Sequence, residues 1–84
     1  MTDSEIKRFK RFVAHMALFG LLETLLDPRN HNLFIEAHRI IFNADSTELR
    51  TIAAFLETDA GTLQKTAFAY LAERDFPVNP GAKH

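Results

Sequence analysis

The stretch TDSEIKRFKRFVAHMALFGLLETLLDP, residues 2–28, decides how the rest of the chain is read. Thr2 and Glu5 stand three apart ahead of an apolar run, the spacing of a capping box, so one long helix is expected from near Asp3 until Asp27-Pro28 stops it. At about 100° per residue, Phe9, Phe12, Val13, Met16 and Phe19 fall on one side of it, while Lys7, Arg8, Lys10 and Arg11 fan across the other. That reading puts the phenylalanines in the core and the cations in water. In the second half, Met16, Ala17, Leu18, Phe19, Leu21, Leu22, Leu25 and Leu26 cover nearly the whole circumference, and only Glu23 and Thr24 are polar. A helix apolar all round must be covered all round. The short remainder of an 84-residue chain covers one side of it, so the expectation is a homodimer with its interface centred on Leu18, Gly20, Leu21, Leu22 and Leu25. Gly20 costs the helix about 1 kcal/mol relative to Ala, which close approach of a second helix would offset. The alternative is a monomer with this helix as its central core element.

Three shorter helices follow. Asp27 or Asn30 can cap the second, whose apolar face is Leu33, Phe34, Ala37, Ile40, Ile41 and Ala44. A strand over residues 39–43 competes, but the longer helical period outweighs it. Asn43 to Ser46 reads as a loop, and Asp45 with Glu48 forms a second capping-box pattern opening a helix faced by Leu49, Ile52, Ala53 and Leu56. Thr58-Asp59-Ala60-Gly61 breaks that helix, and a fourth carries Leu63, Ala67, Tyr70 and Leu71, fading around Arg74 to Phe76 ahead of Pro77. The expected fold is therefore all-α: a small four-helix domain over residues 1–76, with a long hydrophobic first helix, followed by a flexible tail at 77–84.

Composition narrows the function. At 46% hydrophobic and 25% charged the chain has the make-up of one small globular domain. It has no Cys, which excludes a disulfide, a thiolate zinc site and a cysteine nucleophile and suits a reducing cytoplasm. The net charge of −1 lacks the basic excess of a typical nucleic-acid binder. Basic residues ahead of Phe12 to Leu22 imitate a signal peptide, but Asp3 and Glu5 precede them, His15 interrupts the run, and no small-x-small site follows before Glu23. The run is also about half the length that spans a membrane, so no membrane partner is expected.

Residues 49–76, LRTIAAFLETDAGTLQKTAFAYLAERDF, place Ile52-Ala53, Leu56 and Leu63 at the intervals by which two short helices pack across a turn. The segment resembles helix-turn-helix DNA-binding regulators of the winged type, so the third and fourth helices are expected to form a helix-turn-helix-like pair. The resemblance implies that Thr62 contacts backbone phosphate and that Gly61, Gln64, Lys65 and Phe68 face the major groove. Glu57 stands where such motifs have Gly, Thr58 where they have an apolar residue, and Thr66 where they have an aliphatic anchor. Residues 45–75 set Arg50, Lys65 and Arg74 against Asp45, Glu48, Glu57, Asp59, Glu73 and Asp75, a balance of −3. Lys7, Arg8, Lys10 and Arg11 would have to share the face of Gln64 and Lys65 for duplex DNA to be held.

No catalytic constellation is present: no Gly-rich phosphate loop, nucleophile elbow or His-Glu-x-x-His helix. His31 and His38, seven apart with Glu36 nearby, lack the closer pairing of a metal site. An enzyme, a cofactor, a bound metal and a small-molecule substrate are therefore not expected. Two readings stay open. One is a small dimeric cytoplasmic regulator that binds DNA through its helix-turn-helix-like half, assisted by the basic end of the first helix. The other is a helical protein-protein interaction module, an adaptor or inhibitor of a larger protein machine, that meets an acidic protein surface and binds no nucleic acid.

Overall fold

In a computed structural model, which describes residues 2–78, four helices follow one another: α1 (Asp3–Leu26), α2 (His31–Phe42), α3 (Thr47–Phe55) and α4 (Ala60–Ala72). The chain is all-helical, with no strand among the described residues; the segment 39–43 that competed as a strand lies almost entirely within α2.

Each helix begins on a side chain that occupies backbone N–H groups left without a partner in the first turn. Thr2 and Glu5 form the expected capping box on α1. For α2 the cap is Asn30, whose Oδ1 accepts from the Leu33 N–H at 3.1 Å, and not Asp27, which closes α1 instead. For α3 the cap is Ser46 rather than Asp45. The Ser46 hydroxyl accepts from the Leu49 N–H and donates to the Ile40 carbonyl, so one buried side chain joins the end of α2 to the start of α3. An Asp at that place would bring a charge into a buried site and could donate no such bond. Asp59 caps α4 through the Thr62 N–H at 2.7 Å.

Both α3 and α4 end in the same way. Glu57 and Asp75 take left-handed backbone conformations, with φ of 59° and 61°, and the next residue returns its N–H to a carbonyl five back: Thr58 to Ala53 and Phe76 to Leu71. This is the Schellman ending, a place that glycine usually occupies.

The largest fully enclosed side chains come one from each helix: Leu25, Ile41, Leu49 and Leu71. Ala14, Leu22, Ala37, Ile40, Ile52, Ala53, Leu63 and Ala67 complete the core. An aromatic group closes the α2–α4 side, where the Phe42 and Phe68 ring centres are 4.9 Å apart and His38 stacks on Phe42 at 4.0 Å. Phe76 and Val78 pack against this core, so the chain stays docked past residue 76; the expected flexible tail otherwise falls at 79–84, outside the described residues.

Leu25→Ala should lower unfolding free energy by about 2–5 kcal/mol, the cost of an unfilled space at a closed site. Gly20→Ala should raise it by about 0.5–1 kcal/mol, because a Cβ at Gly20 meets nothing within 4 Å. Denaturant titration reads both, and destabilisation by Gly20→Ala would show a contact at that glycine that this packing lacks.

Candidate functional site

A straight helix has one buried meridian, and in α1 the second half chooses it. Ala14, Leu22 and Leu25 are buried, and Leu18, Leu21 and Leu26 are half-buried against the same core. Extending that line toward the N-terminus at the helical period reaches Arg11 and Lys7. The phenylalanines lie on the opposite side.

The structure therefore reverses the expected facing of the first half of α1. Phe9 is 61% exposed, Phe12 62%, Met16 59% and Phe19 50%, with Ile6 and Val13 also in solvent. The cations of the buried meridian rest instead on the end of α3. Arg11 hydrogen-bonds and pairs with the Glu57 carboxylate, Lys7 Nζ lies 3.8 Å from it, and Lys10 sits 5.6 Å above the Phe55 ring.

The residues expected at a dimer interface divide accordingly. Leu22 and Leu25 are enclosed by the chain's own helices, and Leu18 and Leu21 are half-buried against them. Gly20 is exposed and approached by no other element. The three shorter helices cover one side of the leucine-rich half, that of Leu22 and Leu25, while Met16, Ala17 and Phe19 on its other side stay exposed. The uncovered apolar surface runs from Phe9 to Phe19 on the opposite side of α1 and reaches into that half.

The residues that the helix-turn-helix resemblance singled out do not form one face. Gln64 turns inward, its side-chain amide donating to the Ile41 carbonyl at 3.0 Å. The Thr62 hydroxyl donates to its own cap, Asp59, at 3.1 Å. Lys65 and Gly61 are exposed, and Phe68 packs on Phe42. Arg8 is exposed on α1 beside Glu5, Phe9 and Phe12. Lys7 and Arg11 pair at the α3–α4 turn, whereas Gln64 faces the end of α2. His15 is exposed at the edge of an apolar groove.

That groove runs between α1 and α4, has a volume of about 370 Å³, and is lined by His15, Met16, Phe19, Thr66 and Tyr70 among others. Phe19 meets Tyr70 edge to face with ring centres 6.5 Å apart. The exposed stripe of α1 and this groove share Met16 and Phe19, so they form one continuous apolar surface. Among the described residues no group of His, Asp and Glu is placed to hold a metal ion, and no helix is long and apolar enough to cross a membrane.

Compared with known protein families, curated proteins and solved structures, the chain matches none.

The Arg11 guanidinium, with Lys7 beside it, holds the Glu57 carboxyl below its ordinary range. A depressed carboxyl stabilises the fold above the unfolded value and loses that contribution as pH falls through the folded one. The Glu57 carboxyl should therefore titrate below the ordinary glutamate range when followed by carbon NMR; a midpoint within that range would show the pairing of Glu57 with Arg11 and Lys7 to be absent in solution. Because Glu57 also has a left-handed backbone, Glu57→Gly exchanges an exposed ion pair for relief of strain. In about 1 M salt, where the pair is screened, the variant should be more stable than the parent by roughly 0.5–1 kcal/mol, with a smaller difference at low salt. An advantage that did not grow with salt would contradict this balance.

Proposed function

We propose that this chain is a helical protein-interaction module that works through the exposed apolar face of α1 and binds no nucleic acid. The observation that carries the reading is the row Phe9, Phe12, Met16 and Phe19, each at least half exposed, on a helix whose opposite side is anchored. Large aromatic side chains and Met are the residue types enriched where proteins meet, and a contiguous apolar patch on a small domain marks an interaction site. A cytoplasmic setting is part of the same proposal, on the strength of the cysteine-free composition.

A DNA-binding regulator is the second reading. What favours it is the α3–α4 turn, where Glu57 adopts the left-handed conformation that helix-turn-helix motifs assign to glycine. Against it stand the engaged side chains. Lys7 and Arg11 are partly neutralised by Glu57, Gln64 is committed to the Ile41 carbonyl, and Lys65 is the only cation within α4. Phosphate neutralisation supplies most non-specific affinity, and this arrangement has few charges to give.

A fluorescent random duplex titrated with the protein at low salt should show no binding. Binding that weakens steeply between about 50 and 200 mM salt and is lost in Lys65→Glu would overturn the module reading in favour of the regulator. In parallel, any protein recovered on the wild-type chain from its host should be lost with Phe12→Glu while helix content is unchanged, since Phe12 lies outside the core.

A further inference from the structure

We propose that the occupant of the α1 face is a second copy of this chain, bound antiparallel through α1; this rests on the module reading and names its partner. Phe9, Phe12, Met16 and Phe19 are spaced three, four and three residues apart, and Glu5 and Glu23 continue the same line four residues beyond each end. This is the alternation of a coiled-coil seam, the period that keeps one narrow stripe of a helix against another helix over successive turns. A stripe facing only its own bundle has no need of it, and here the bundle lies on the other side.

Charge selects the direction. Lys7, Arg8, Lys10 and Arg11 outweigh Asp3, Glu5 and the Glu57 that pairs with Lys7 and Arg11, leaving +1 at this end, whereas Phe12–Leu26 holds Glu23 and no Lys or Arg. The last turn of α1 has no basic residue, so the negative end of its dipole goes uncompensated, while the cations crowd its positive end. Parallel pairing would bring two cationic ends together. Antiparallel pairing lays each cationic half beside the partner's negative end.

In that arrangement a twofold axis passes between Phe12 and Met16, so that Phe12 of each copy meets the partner's Met16, and Phe9 the partner's Phe19. Met16 and Phe19 border the α1–α4 groove, which therefore receives the partner's Phe9 and Phe12 rings. Glu5 and Glu23 close the seam at its ends, with Arg8 one turn inside to offset their repulsion. Large side chains carry roughly 150–250 Å² each, so the half-exposed stripe can bury at most on the order of 500 Å² per copy and about 1,000 Å² in the pair, the lower limit for a specific interface and the size of one that forms reversibly.

Sedimentation over a wide concentration range should show a particle of twice the 9.6 kDa chain mass at high concentration and reversible dissociation on dilution. Phe12→Glu should weaken association by roughly 30-fold or more with an unchanged helical spectrum. Because the chain has no Cys, Ser4→Cys can be spin-labelled at one site, and the label separation in the pair should be about 30 Å for antiparallel helices against about 10 Å for parallel ones. A wild-type chain that stays monomeric throughout, a dimer indifferent to Phe12→Glu, or the short label distance would overturn the proposal. So would wild-type co-sedimentation with phosphatidylcholine–phosphatidylglycerol vesicles that Phe12→Glu abolishes, which would assign the stripe to a lipid surface. A monomer that also ignores duplex DNA and vesicles defeats the second copy alone and leaves the module reading standing; salt-sensitive DNA binding defeats the module reading itself.

Discussion

The straightness of α1 is the constraint from which the rest follows. A helix of 24 residues cannot present different meridians at its two ends without a kink, and neither proline nor a break interrupts it. Its leucine-rich half is seized by α2, α3 and α4 around Leu25, Ile41, Leu49 and Leu71. That packing fixes the rotation of the whole rod. The price at the other end is a row of phenylalanines in water and cations pressed toward the body. Glu57 meets those cations at the one place where α3 turns into α4, and so the acidic residue in the turn steadies the front of α1.

Much of the fold could be read in the chain because local signals agree with one another. The four helices, the capping box at Thr2 and Glu5, the end of α1 before Pro28, the apolar face of α3 and most of that of α2 follow from spacing alone, but Leu33, expected on the α2 face, is 59% exposed in the first turn of the helix. Where two candidates for a cap stood close, tertiary context chose between them. Ser46 wins over Asp45 because it must reach both the Leu49 N–H and the Ile40 carbonyl from a buried position. The facing of α1 could not be read in the same way. Its first half carries two meridians of comparable claim: the phenylalanine stripe, which is more hydrophobic, and the Lys7-Arg11 line, which is continuous with Ala14, Leu18, Leu21 and Leu25. Hydrophobicity judged turn by turn favours the first, whereas continuity along a rigid rod favours the second, and continuity prevails.

The same geometry reshapes the functional question. A helix-turn-helix resemblance on the third and fourth helices drew attention to Thr62, Gln64 and Lys65, yet two of these serve the fold: Thr62 closes a cap and Gln64 ties α4 to the end of α2. The basic cluster likewise belongs in part to an internal strap. The largest uncommitted surface is apolar, arranged on a 3.5-residue repeat and continuous with a groove of its own. Heptad spacing of Phe9, Phe12, Met16 and Phe19 was visible in the sequence as the signal that could have separated an outward seam from a core stripe.

Oxidative footprinting of Met16 and the neighbouring phenylalanines at two concentrations tests this account most directly. It predicts rapid labelling of Met16, Phe9 and Phe12 at high dilution and strong protection at high concentration, with Leu25 protected in both. Protection of Met16 that does not depend on concentration, or labelling of Leu25 at either one, would mean that α1 is rotated the other way, and would contradict it.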